Sequence, residues 1–190
     1  MIIKVLLFSL FFVSLAYSTS WKYSCNTDEF DDSLLHFFYK FPEKVDASNP
    51  YIDDPAIVIG ITQEFTNIFC SNECFLRIDW GTSLGFGKTA PITYRFGKEK
   101  AVTENLKYIS GVKASIFQIQ GDFKKNLSKE DILKVKAEAV FVSFIYAEFD
   151  LSGLKDIILK YSKDFSEISN FTLYMGYKFP EKTEEEKELR

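Results

Sequence analysis

The stretch Phe75 to Phe96, FLRIDWGTSLGFGKTAPITYRF, decides how the rest of the chain is read. In its first run Leu76, Ile78 and Trp80 fall on one side and Phe75, Arg77 and Asp79 on the other, the period-two pattern of a strand with one wet face. A second strand-like run, Pro91 to Phe96, follows Gly81, Gly85 and Gly87, and glycines mark places where the backbone bends. The expectation is a β-hairpin with a glycine-rich loop, to which the remainder of the chain adds more sheet.

Working upstream, Ile57, Ile59 and Ile61 alternate with Val58, Gly60 and Thr62, so Ala56 to Phe65 reads as a strand. It leads through Asn67 into Cys70-Ser71-Asn72-Glu73-Cys74, a tight turn. Before it, Pro42, Pro50 and Pro55 with Asn49, Asp53 and Asp54 make a loop. Leu34 to Phe41 fits either a strand or a short helix by periodicity and is read as a strand.

Downstream, Gly97 to Lys100 is a charged turn, Ala101 to Ile109 holds a short strand, and Ala114 to Ile119 returns under the sheet. Asp122 to Leu127 reads as one or two helical turns. Leu133, Val135, Ala137 and Ala139 alternate with Lys134, Lys136 and Glu138 in a half-buried strand. Phe141 to Phe149 is apolar on both faces, as a central strand would be. After Asp150 the period changes: Leu154, Ile157, Ile158 and Tyr161 stand at helical spacing behind Ser152, a suitable N-cap. Asn170 to Tyr177 reads as one more edge strand. The expected architecture is mainly β, an antiparallel sandwich or curled sheet with one C-terminal helix packed on it.

Residues 1–18 have the form of a secretory signal peptide: Lys4 near the start, an uncharged run from Val5 to Tyr17, and small residues at Ala16 and Ser18. The run is short of the roughly 20 residues that span a bilayer as a helix, so a membrane anchor is the weaker reading and no stable span is expected after cleavage. A single domain over 19–179 and a charged, solvated tail over 180–190 follow. The destination is the periplasm or the outside of the cell, where cysteines meet an oxidising compartment. A bridge between Cys70 and Cys74 needs no assumption about distant topology; Cys25 tied to either of them is the alternative.

The net charge is −4, and losing Lys4 with the leader deepens it by one. With lysines scattered, nucleic acid is not an expected partner. Aromatic residues make up 17% of the chain, with 20 Phe, so the core should be built largely of rings. The one histidine, His36, sits in an apolar run, which excludes a two-histidine zinc motif and reads as structural; the alternative is a cysteine nucleophile paired with it. Gly87-Lys88-Thr89 superficially resembles the end of a phosphate loop, but Gly81 is one place too early for that spacing and a strand follows where a helix is required. No cofactor, metal or catalytic group is expected. Arg77, Asp79 and Arg95 are the candidate binding residues: alternation puts the first two on one exposed face, and a hairpin would lay Arg95 across from them. Their plain reading is a surface ion pair. The hexapeptide Tyr39 to Lys44 recurs letter for letter as Tyr177 to Lys182 with no similarity beyond it, and reads as coincidence.

Cys70, the strand ending Trp80-Gly81, Leu84-Gly85, Ile92-Thr93-Tyr94-Arg95-Phe96, Ser110, Phe123 to Leu127, and Phe149 to Leu154 opening a helix occur in an order that resembles the VasI/TagO-like family, envelope proteins found with type VI secretion systems. The resemblance covers about Cys70 to Lys163. It implies an exported, mainly β, non-enzymatic accessory or binding protein whose partner is an envelope or secretion-apparatus protein, and it brings no catalytic residues with it. A secreted effector or immunity-type interaction protein is the alternative function.

Overall fold

The computed structural model describes residues 20–27, 34–47, 55–62, 74–85, 87–140 and 142–179. The expected leader, the Cys70 end of the expected turn and bridge, and the tail lie outside the described residues. Ten strands form one antiparallel sheet: β1 Lys22–Thr27, β2 Leu34–Lys40, β3 Lys44–Ala47, β4 Ala56–Thr62, β5 Cys74–Asp79, β6 Thr89–Phe96, β7 Val102–Ile109, β8 Ala114–Gln118, β9 Ile132–Ala139 and β10 Val142–Asp150. Their order across the sheet is β1-β2-β4-β5-β8-β7-β6-β9-β10-β3. Among the described residues three α-helices accompany the sheet: α1 Gly121–Leu127, α2 Leu154–Tyr161 and α3 Ser166–Tyr174.

The sheet has to curl. Laid flat, β2 and β3 would stand eight spacings of about 4.8 Å apart, close to 40 Å. Yet only Phe41, Pro42 and Glu43 join them, a link that reaches about 14 Å at full stretch. The result is a half-barrel whose two margins meet at one corner. There the Glu43 amide donates to the Glu148 carbonyl at 2.8 Å. The Lys40 ammonium, 3% exposed, lies 3.1 Å from Asp150 Oδ2 and 3.4 Å from Glu43 Oε1. The first copy of the repeated hexapeptide, Tyr39 to Lys44, is this corner.

Alternation sorts every strand into an inner and an outer face. Phe38, Leu76, Ile78, Trp80, Phe96, Phe117 and Phe149 fill the inside and are almost wholly buried. Trp80 satisfies its indole N–H there by donating to Ser115 Oγ at 3.0 Å. The helices close the same face. Leu154 and Ile158 of α2 are buried, and Tyr161 stacks on Tyr23 of β1 at 3.7 Å. α1 inserts Phe123 among Tyr94, Phe96 and Phe117, with ring centres 5.0–5.4 Å away. α1 and α3 are tied to each other: Lys124 donates to the Tyr174 carbonyl at 3.1 Å, and the Tyr174 hydroxyl donates to the Ile119 carbonyl at 2.6 Å.

Of the two architectures expected, the curled sheet is the one formed: there is no second layer of strands among the described residues, so helices do the covering that a second sheet would do in a sandwich. Three expectations change. Two C-terminal helices pack where one was expected: the edge strand read at Asn170 to Tyr177 lies largely in α3. Ile168, Phe171, Thr172 and Met175 stand at i, i+3, i+4 and i+7 and are all buried, a helical stripe that outweighs the β-branched look of the segment. Ser152 does not cap α2. Gly153 holds the cap position with φ 77°, while the Ser152 amide and hydroxyl both donate to the Asp150 carboxylate. Finally, β10 is next to the margin and not central, because β3 is all that lies beyond it.

The quoted stretch yields both of its strands but not their pairing. β5 pairs with β4 and β8; β6 pairs with β7 and β9. β6, β7 and β8 form a meander that turns back beside β5, and the glycine-rich segment from Gly81 to Lys88 is the long connection of a Greek key. It is strapped over the sheet end by bonds from the Leu84 amide to the Tyr108 hydroxyl at 3.0 Å and from the Val140 amide to the Ser83 carbonyl at 3.1 Å.

Candidate functional site

On the outer face, β1, β2, β4 and β5 enclose a shallow hollow of about 410 Å³ walled by Phe37, Tyr39, Ala56 and Val58, with Arg77 and Asp79 on the β5 side. The register explains its shape. Gly60 faces Phe75 across β4 and β5, and the ring of Phe75 lies on the glycine where any Cβ would collide with it. One step along, Val58 faces Arg77 and is only 6% exposed although it points away from the core. The Phe75 ring covers Gly60, and the small side chain of Ala56 with the rings of Phe37 and Tyr39 borders the depression beside it.

Arg77 and Asp79 stand two apart on the same strand face. The guanidinium grips the carboxylate through two atoms: Nε lies 2.8 Å from Oδ1, and Nη2 donates to Oδ2 at 2.9 Å. Each side chain is 31% exposed, so the pair is half desolvated. Burial pushes the Asp79 carboxyl above its ordinary value, and Arg77 opposes that rise without cancelling it. Nη2 is in hydrogen-bond geometry with Asp79, whereas Nε and the Oδ1 opposite it are buried at ion-pair distance without a hydrogen bond.

The third candidate, Arg95, is elsewhere. Three strand spacings separate β5 from β6, and the register runs from Arg77 through Ile116 and Lys107 to Thr89, six residues short of Arg95, so Arg95 stands about 20 Å or more from the pair. It is exposed and its register partner is Lys134, which is itself held by Glu148 at 2.8 Å. Like charges placed opposite each other add nothing to the sheet. The structure therefore unites Arg77 with Asp79 and separates both from Arg95.

His36 and Cys25 are register partners in β2 and β1, which brings together two groups weighed for nucleophilic chemistry. The imidazole is fully buried with the Tyr23 hydroxyl 3.0 Å from Nδ1, and the Glu167 carboxylate is 4.0 Å from Nε2. Burial lowers its pKa and Glu167 only partly opposes this, so the ring is held neutral as a packing group between Tyr23 and Phe165. Cys25 is a free, exposed thiol, which leaves the alternative of its bridging Cys70 or Cys74 unrealised. Cys74 is fully buried in β5.

Phe37 and Tyr39 escaped the sequence reading as wall residues, although the Leu34 to Phe41 run carried the signal. Four of its aromatic or histidine positions alternate, and the outward pair had to go somewhere. Comparison with family models, with curated proteins and with solved structures finds no match for this chain.

Proposed function

We propose that this chain is an exported, non-enzymatic accessory or binding protein of the bacterial envelope, and that the hollow around Arg77 and Asp79 is its recognition surface. The observation that carries this reading is the two-atom ion pair set at the edge of an aromatic-walled depression on an outer sheet face. Rigid rings surround a preformed polar anchor, and such an arrangement loses little side-chain entropy on binding. The form of the leader and the resemblance to the VasI/TagO-like family support the address and tie the partner to an envelope or secretion apparatus, type VI being the system the resemblance indicates. Placement of the protein in the periplasm or outside the cell is part of the proposal. The buried His36 supports the non-enzymatic reading, since burial lowers its pKa and its Nδ1 is engaged by the Tyr23 hydroxyl.

The test is co-purification from the periplasmic fraction with wild-type protein, Arg77→Ala and Arg95→Ala. Loss of the partner in Arg77→Ala alone, with an unchanged far-ultraviolet spectrum, is the expected result. Retention by Arg77→Ala would remove the hollow from the account. Recovery in culture fluid without an envelope partner would favour the secreted effector or immunity-type alternative, and turnover of peptidoglycan or a simple ester, sensitive to His36 or Cys25, would overturn the non-enzymatic reading.

A further inference from the structure

A second opening lies within the sheet itself, between β7 and β8. Their ladder runs only from Lys107 opposite Ile116 to Ile109 opposite Ala114. Past Lys107, β7 follows β6 as far as Val102, while β8 stays with β5 up to Gln118. The sheet forks, leaving a cleft of about 440 Å³.

Main-chain direction in the fork follows from two bonds. The Tyr108 amide donates to the Lys88 carbonyl on the β6 side at 2.8 Å, so alternation turns the N–H and C=O of Lys107, Asn105 and Thr103 toward β8. The Trp80 amide of the neighbouring strand donates to the Lys113 carbonyl at 3.0 Å, so Ile116 and Gln118 face β7. Lys107 finds Ile116. Asn105 and Thr103 face the cleft with no strand partner among the described residues, and the Gln118 carbonyl is diverted to accept from Gln120 at 3.0 Å. An edge with free donors and acceptors is a template for another strand.

The inner wall sets the chemistry. Phe117 and Phe123 stack at 5.0 Å, and Tyr94 meets both edge-on at 5.3 and 5.4 Å. The Tyr94 hydroxyl donates to Glu104 Oε1 at 2.8 Å, which orients that carboxylate at the mouth, and Asp122 in the first turn of α1 lines the same cleft. Lys107 stands on the outer rim. Ring faces with two carboxylates suit a cationic side chain.

We propose that the fork binds an extended segment of a partner protein as an added strand on β7, main chain to main chain at Thr103 and Asn105, with a lysine or arginine of that segment directed inward between Tyr94, Phe123 and Glu104. This is strand addition of the kind that takes affinity from the backbone and selectivity from one pocket. The chain's own tail is a poor occupant, because its five glutamates against Lys182, Lys187 and Arg190 would meet the carboxylates of the cleft. The proposal is independent of the outer hollow.

The experiment titrates the intact exported domain with two labelled heptapeptides of alternating threonine and valine, one with a central lysine and one with a central glutamate, followed by anisotropy and by amide spectra. The lysine peptide is expected to bind at least tenfold more tightly, to shift the Thr103 and Asn105 amides and to slow their hydrogen exchange. Glu104→Lys should reverse the preference, Asn105→Pro should abolish binding because it removes an N–H directed into the cleft, and Arg77→Ala should leave it unchanged. Should Asn105→Pro fail to fold, Glu104→Lys decides. Equal binding of the two peptides, no binding of either, or shifts confined to other strands would overturn the proposal.

Discussion

The outer face of one sheet has two halves built on opposite rules. Across β1, β2, β4 and β5 it carries Phe37, Tyr39, Val58 and Phe75, with a single ion pair, Arg77 to Asp79, held partly out of water. Across β6, β9 and β10 it carries Arg95, Lys134, Lys136, Tyr146 and Glu148: Lys134 and Glu148 pair at 2.8 Å and are no more open to solvent than Arg77 and Asp79, Tyr146 donates to the same carboxylate at 2.9 Å, and Lys136 lies over the ring of Phe144 at 4.8 Å. Both halves alternate inward apolar residues equally well, so the core imposes neither arrangement. What separates the halves is the surroundings of the ion pair: lysines and a glutamate crowd one, and an aromatic and aliphatic wall encloses the other, the half to which the proposed recognition role is assigned.

The largest effect is expected at the corner where the two halves meet. Lys40→Ala strips the shared cation from Asp150 and Glu43, and since both carboxylates are about one third exposed the cost should be about 2–3 kcal/mol, below that of a fully buried pair. Denaturant titration measures it, and a loss under 0.5 kcal/mol would mean that the margins hold without this contact. Next comes Gly60→Val. The added side chain takes the seat of the Phe75 ring and should cost about 1–3 kcal/mol by overpacking, with perturbed amide signals on β4 and β5 and none on β9 or β10. The two arginines then separate the halves directly. Arg77→Ala leaves a half-desolvated carboxylate without its partner and should cost about 1–2 kcal/mol, whereas Arg95→Ala should stay within about 0.5 kcal/mol; equal costs would erase the distinction.

The smallest effect is one of pH. Asp79 has a raised carboxyl pKa because burial outweighs Arg77, so the folded state holds this proton more tightly than the unfolded chain. Its contribution to stability is therefore full below the ordinary value of 3.8 and is lost as pH climbs through the raised value. Glu148 is the reverse. Bonds from Lys134 and Tyr146 lower its pKa, so its contribution is present above 4.5 and is lost as pH falls through the lowered value. Asp79→Asn should accordingly remove a decline in stability toward neutral pH, and Glu148→Gln should remove a gain. Stability curves of the two variants against pH that bend the same way would contradict this account of the two faces.

Legibility in the sequence followed the range of the interaction. Period-two runs such as Leu133 to Ala139 and Phe75 to Trp80 announce strands because each residue reports its own face. The partners of a strand are not local: nothing between Phe75 and Phe96 says that β8 and β7 will stand between the two runs, since that depends on Ile116 meeting Arg77 and on Lys107 meeting Ile116. Arg77 and Asp79 were recoverable because they lie two apart on one strand, and Arg95 was misplaced because its position relied on pairing. The α3 stripe of Ile168, Phe171, Thr172 and Met175 was present in the letters but hidden among residues that favour strands. The Lys40 to Asp150 contact, spanning 110 positions, had no sequence signal at all.

Photocrosslinking from two outward tyrosines, Tyr39 in the aromatic half and Tyr146 in the charged half, each replaced in turn by benzoylphenylalanine in the full chain within intact cells, tests the proposed recognition face most directly. A discrete adduct to one envelope protein from position 39, lost on adding Arg77→Ala, with none from position 146, is the predicted outcome. Adducts from position 146 alone, or the same adduct from both positions regardless of Arg77, would contradict it.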